Sequence, residues 1–313
     1  MAKKILTLLI ISLFALCVFL LYDMNFEIFN YVIQKRIAKI VCMTIVAIAI
    51  GLSTLSFQAV TNNRILTPGI LGLDSLYQLF QLITVVAAGG ISVFVTNVYL
   101  NFFTSAALMT AFSLVLFKWV FNRAKSIFLI VLVGVVMGTF FTSINGMLQI
   151  MISPDVYNLI LGKLFASFSV VQSELIGIST IIIVIISTVI YKKRYILDVM
   201  ALGKDHSVNL GLSYDKEVMQ ILVMVFLLVS ISTALVGPIT FLGFFSVNIT
   251  KNYLNHHQHA YLMLGTCLVS VAVLFLGQFM VEHVFNFGLP ISVLISMVGG
   301  SYFIYMLLKE NKA

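Results

Sequence analysis

His256, His257 and His259 crowd together in the stretch NHHQHA, Asn255 to Ala260. Imidazoles this close could gather a transition metal. No carboxylate or thiol stands near them in the sequence to complete a site, so the stretch reads as a short solvated turn. Cys17, Cys42 and Cys267 are scattered through apolar runs with neither metal nor disulfide spacing, and read as small packing residues. Ionisable groups inside the apolar runs are few. Asp74 opens one run, within a turn of where the inner face of a bilayer would fall, and Glu282 and His283 close another. No chain of Asp, Glu and His crosses a run, which argues against a proton-coupled pump. The other polar groups at depth are the amides Gln78, Gln81, Asn97, Asn101, Gln149 and Gln278. Such amides either bond between helices or line a wide path for a polar solute. The pattern G-x-x-x-x-G-K-[ST] is absent, so any ATP hydrolysis must come from another chain. No catalytic residue and no metal site emerges.

The elements that hold these groups follow from composition. Of 313 residues, 61% are hydrophobic and 9% charged, against about 25% charged in soluble domains. Apolar runs of about 20 residues recur, the length of helix that crosses a bilayer core. The alternating pattern of a membrane β-barrel is missing. The fold class is therefore all-α, a polytopic helical membrane protein forming a single transmembrane domain over residues 1–313. The N-terminal run has the charge and apolar core of a signal peptide but no small-x-small cleavage site, and reads as an uncleaved first span. Ten spans are expected, near 5–22, 37–58, 69–88, 92–117, 127–151, 172–191, 218–236, 241–254, 261–281 and 290–308; the boundary at Gly89 and Gly90 is loose, and the eighth span is short. With both termini inside, only Lys35, Arg36, Lys39 and Lys163 of the 18 Lys and Arg fall outside, as the positive-inside rule requires. The net charge of +7 is thus a topology signal, not a nucleic-acid footprint.

Two connectors exceed plain turns. An outer one, Ser153 to Glu174, is expected to hold a short interfacial helix. An inner one, about 192–217, is the longest hydrophilic stretch and too short for a catalytic domain. A polar hinge, QAVTNNRILTPGILGLDS from Gln58 to Ser75, follows span two. Its Pro68 and Gly72 break the helix at the inner membrane face and restart the chain, and Arg64 holds it there. TPGILGL (Thr67–Leu73) is echoed by VGPITFLGF (Val236–Phe244) after span seven. The two spans run in opposite directions, the sign of an inverted-topology repeat.

Four segments carry a resemblance to the permease subunits of FecCD-type ABC importers, which take up iron–siderophore complexes, haem and cobalamin. In the hinge, Gln58, Pro68, Leu71 and Gly72 fit the family pattern, although the usual Arg-Asn-Pro core is not reproduced. DVMALGKDHSVNLGL resembles the family's coupling segment through Leu202, Gly203, Leu210 and Gly211, with Ser207 in place of Ala. VGPITFLGFFSVNITK matches at Gly237, Pro238, Ile239, Phe241 and Gly243, with Val247-Asn248 replacing Pro-His. The closing span GLPISVLISMVGGSYFIYMLLK matches at Leu289, Pro290, Gly299 and Phe303. The match runs from span two to the end.

The resemblance implies a transport subunit rather than an enzyme. It implies a second permease chain, identical or sister, two cytoplasmic ATPase subunits that hold the ATP, and an extracytoplasmic binding protein, all at a bacterial cytoplasmic membrane. This chain itself binds no cofactor. The cargo is expected to be a ferric siderophore, of catecholate type by the form of the hinge; haem and cobalamin share the scaffold, and a self-contained secondary transporter is the alternative from another class. The implied sites are an ATPase-coupling loop at Leu202, Gly203, Lys204, Leu210 and Gly211; an inner hinge or gate at Gln58, Arg64, Pro68 and Gly72; and a binding-protein docking patch at Lys35, Arg36 and Lys39. Snorkelling anchors at the membrane surface are the other reading of those three cations.

Overall fold

A computed structural model of the chain describes residues 1–21, 29–88, 93, 97–124, 127–168 and 173–310. Helices are α1 (Ala2–Leu21), α2 (Phe29–Thr61), α3 (Leu73–Ala88), α4 (Val98–Ala124), α5 (Ile127–Met151), α6 (Pro154–Leu164) and α7 (Ser173–Lys192). They continue as α8 (Arg194–Met200), α9 (Lys204–Asn209), α10 (Tyr214–Val236), α11 (Leu242–Leu254), α12 (His259–His283) and α13 (Ile291–Glu310), and a 3₁₀ turn covers Pro68–Leu71. There is no strand among the described residues. Among the described residues, seven helices are long and apolar enough to cross a membrane. Each predicted span has a helix, but the fourth begins later than expected, at Val98; Gly89 and Gly90 lie outside the described residues. The predicted interfacial helix is α6, and the inner connector folds as α8 and α9.

Long-range bonds sort the helix ends into two groups. At one end the Lys4 ammonium, at the start of α1, donates to the carbonyls of Tyr253 and Leu254 at the end of α11. Asp198 of α8 accepts from the backbone of His259, which opens α12. At the other end Arg36 donates to the Leu20 carbonyl, Lys39 pairs with Glu282, and the Ser292 hydroxyl accepts from the Ala166 backbone. The first end holds α8 and α9 and is the one predicted to face the cytoplasm; the second holds α6.

Helices α2, α10 and α12 make the core, whereas α1, α4, α5 and α7 turn most of their apolar surface outward. In a bilayer, where apolar contact alone gives little drive, small residues permit the close approach that does. Gly51 of α2 lies under Ser270 and Thr266 of α12; a methyl there would come within 2.7 Å of the Ser270 hydroxyl. Gly243 of α11 fits equally closely against Thr54 of α2.

Two helices are half-length. At 1.5 Å per residue, α3 with 16 residues and α11 with 13 reach about 24 and 20 Å, short of a ~30 Å core. Each begins near the middle of the bundle. Gly72, at the start of α3, rests against Gly134 and Gly138 halfway along α5, and Phe241, before α11, rests on Gly299 midway along α13. The connectors leading to them dip in from opposite ends and meet: Gly69 lies beside both Asp74 and Thr240. The hinge therefore does not stop at the membrane face. It climbs to mid-depth, and Asp74 sits there rather than within a turn of the inner surface. Its polar composition suits this course because a non-helical backbone at depth must be enclosed by protein. The two echoed segments are thus partners in space.

Candidate functional site

The coupling segment is built from two one-to-two-turn helices and two glycines. Gly203 (φ +97, ψ 166) stands in a region that side-chain-bearing residues rarely occupy, and Gly211 also has positive φ (+84). Ser207 is fully buried between them and donates to the carbonyls of Val199 and Gly203, closing α9 against α8. Lys204 pairs with Asp215 at 3.0 Å, and Lys193 bonds both Glu217 and Gln220 at the foot of α10. These bonds fix the segment to α7 and α10. What remains outward is apolar: Leu202, Val208 and Leu210 are half or more exposed, Leu210 at 65%. Val208 was not among the residues singled out from sequence, since only the Leu-Gly pairs stood out there; its position on so short a helix decides its exposure.

Beneath the segment, Asp198 takes two bonds from His259, from the backbone N–H and from Nδ1, each at 2.7 Å. His259 is buried, so it is not part of a solvated turn as the sequence implied; the carboxylate that seemed absent comes from a distant stretch of chain. His256 and His257 do line an open cavity at the same end. Among the described residues no group of three His, Cys, Asp or Glu could hold a metal.

The hinge residues divide. Pro68 starts the 3₁₀ turn and is buried, and Gly72 (φ +83) closes it with its N–H to the Gly69 carbonyl. Gln58 and Arg64 stay at the α8 end: Gln58 is 2% exposed and accepts from Lys251, while Arg64 is exposed. The structure thus brings Gln58 and Arg64 together around one cavity and sends Pro68 and Gly72 to the bundle centre.

At the opposite end the three cations proposed for docking are not equivalent. The side chain of Lys35 lies outside the described residues. Arg36 bonds the Leu20 carbonyl at 2.7 Å. Lys39 is ion-paired with Glu282 and lies near the rings of Phe19 and Phe287, both at 5.8 Å. Arg36 and Lys39 therefore clamp α1, α2 and α12 together. On the same end Lys163, in α6, has its ammonium pulled below the usual lysine value by desolvation.

Of the six amides singled out from sequence, three, Gln78, Gln81 and Asn101, bond between helices. Gln81 and Asn101 exchange reciprocal bonds of 3.0 Å, and Gln81 also reaches Ser105. Gln78 donates to the Leu164 carbonyl and Asn145 to that of Ser75. Asn97 accepts from the backbones of Tyr99 and Leu100 at the head of α4, and Gln278 donates to Glu282 on its own helix.

A family model described as the FecCD transport family matches residues 4–309. The chain is 42% identical over 308 residues to the petrobactin import system permease protein YclO of Bacillus subtilis, covering 97% of each chain. It is 31% identical to the petrobactin import system permease protein FatC of Bacillus anthracis, over 90% of this chain and 79% of that one. It is 26% identical to a second B. subtilis petrobactin import permease, YclN, over 93% and 90%. In fold it is similar to an inward-facing metal-chelate type ABC transporter, with a TM-score of 0.85, 19% identity, and 98% and 99% of the two chains covered.

Proposed function

Because this chain belongs to the FecCD transport family, we propose that it is the membrane permease subunit of an ABC importer that carries a ferric siderophore inward. The chain is a multi-pass membrane transport subunit, not an enzyme. Petrobactin, named for its relatives YclO and FatC, is the first cargo to test. The observation that carries the mechanism is the apolar crest of Leu202, Val208 and Leu210, anchored by buried Ser207 yet left half or more exposed by the described residues. Such a crest fits the cleft of an ATPase subunit, whose closure on ATP would push α8 and α9 as a unit. The push would reach α12 through Asp198 and His259, and α10 through Lys193 and Glu217. A second permease, as in the YclN and YclO pair, would cover the outward apolar faces and close the path between them. The binding protein would dock at the α6 end, the end that carries Arg36 and Lys39.

Uptake tests the reading. Deleting the gene and following radiolabelled iron presented as ferric petrobactin, other siderophores, haem-iron and free iron, with labelled cobalamin in parallel, is expected to abolish petrobactin uptake alone. The intact gene restores it; Gly203→Pro does not. Loss confined to haem or cobalamin would replace the cargo, and unchanged uptake of every compound with no ATPase co-purifying would overturn the importer reading.

A further inference from the structure

Between the end of α2, the α11–α12 turn and the C-terminus of α8 lies a cavity of about 590 Å³. Its wall carries Arg64, Lys251, His256, His257 and His259, and no Asp or Glu is among its described lining residues. Asp198, the nearest carboxylate partner in this region, is bonded twice to His259. Lys251 donates to Gln58 Oε1 at 2.8 Å, which leaves the Gln58 NH₂ as the free end of that amide. That NH₂ is buried, with Gln58 2% exposed, and has no acceptor among the described residues. Arg64 and Lys251 line the same cavity, and neither forms an ion pair among the described residues. An unsatisfied buried donor is costly, and so is a pair of like charges held together. One species answers both: an anion whose oxygens accept from the amide and sit between the cations.

We propose that this cavity is an oxyanion-binding site that takes a phosphate or polycarboxylate group. The group arrives either on a small free anion or on the headgroup of an acidic lipid, the kind of ligand that basic pockets between membrane helices take. Two features fit an oxyanion better than a lone chloride: the volume, and donors of three kinds, amide, ammonium and guanidinium, converging from two helices and a connector. The site adjoins Ala201 at the end of α8, so occupancy would brace the coupling segment against α2 and α12. The inference does not depend on the cargo.

The test uses the purified full-length permease with its partner chains in a neutral detergent, stripped of lipid, with the nucleotide sites of the ATPase subunits saturated by a non-hydrolysable ATP analogue. Binding of pyrophosphate, and separately of short-chain phosphatidylglycerol, is measured by calorimetry at constant ionic strength, with chloride and phosphatidylcholine as controls. At least one acidic probe is expected to bind above its control. Lys251→Met is expected to weaken it about tenfold and Arg64→Met, at a more exposed charge, by a few-fold. Gln58→Glu keeps an acceptor for Lys251 and the shape of the side chain, but sets a carboxylate oxygen where the NH₂ stood; it is expected to abolish binding while the protein stays monodisperse. Pyrophosphate binding assigns the site to free anions, and phosphatidylglycerol alone to headgroups; both support the proposal. Neither probe exceeding its control, or Gln58→Glu binding as the parent does, overturns it.

Discussion

Two places in this molecule need a glycine with positive φ, and they need it for different reasons. In the middle of the bundle, Gly72 has both a special backbone and no room: a Cβ would lie 2.5 Å from the Gly138 backbone. Gly237, ahead of α11, is enclosed the same way by the Phe165 carbonyl at 2.8 Å. In the coupling segment Gly203 has its nearest neighbour at 4.0 Å, the Asn62 amide, and Gly211 has none within that distance. The first pair sets how closely helices approach. The second sets only the direction in which a short helix leaves. Stability is concentrated at the centre, whereas the surface turn is held by backbone conformation and is left free to meet another chain.

That contrast can be broken by substitution. Gly72→Ala should have the largest effect, at least about 3 kcal/mol from overpacking against backbone plus the φ strain, read as loss of monodisperse protein after extraction. Gly72→Asn should fail equally, although Asn tolerates left-handed backbone, because room is what is missing. Gly203→Ala should fold, at a local strain of about 1–3 kcal/mol, yet lose ATP-driven uptake; if it failed to express, the contrast would be wrong. Leu202→Ser with Leu210→Ser should leave thermal stability unchanged but reduce ATPase co-purification, each truncation weakening docking by about 1–2 kcal/mol. Gly211→Asn should be the mildest, below about 1 kcal/mol, with uptake near that of the parent.

The sequence made the membrane class and the helices readable, because apolar runs report directly on lipid. It also marked the glycines and prolines that interrupt helices. Depth was not readable. The hinge looked like a surface feature because Asn62, Asn63 and Arg64 are polar, and nothing local says that the next residues climb to Gly138. Pairings across long separations were equally hidden. Asp198 and His259 are 61 positions apart, and Lys39 and Glu282 are 243 apart. A cation that seemed free for docking was already paired.

The short length of α11 bears on how the chain is made. A segment of 13 residues cannot hold itself across a bilayer as it leaves the ribosome. Phe241 at its head has no lid until Gly299 of the last helix is synthesised. The final span is therefore an assembly step as well as a crossing. A nascent chain halted before Ile291 would carry an unfinished centre, open to quality-control proteases until translation ends.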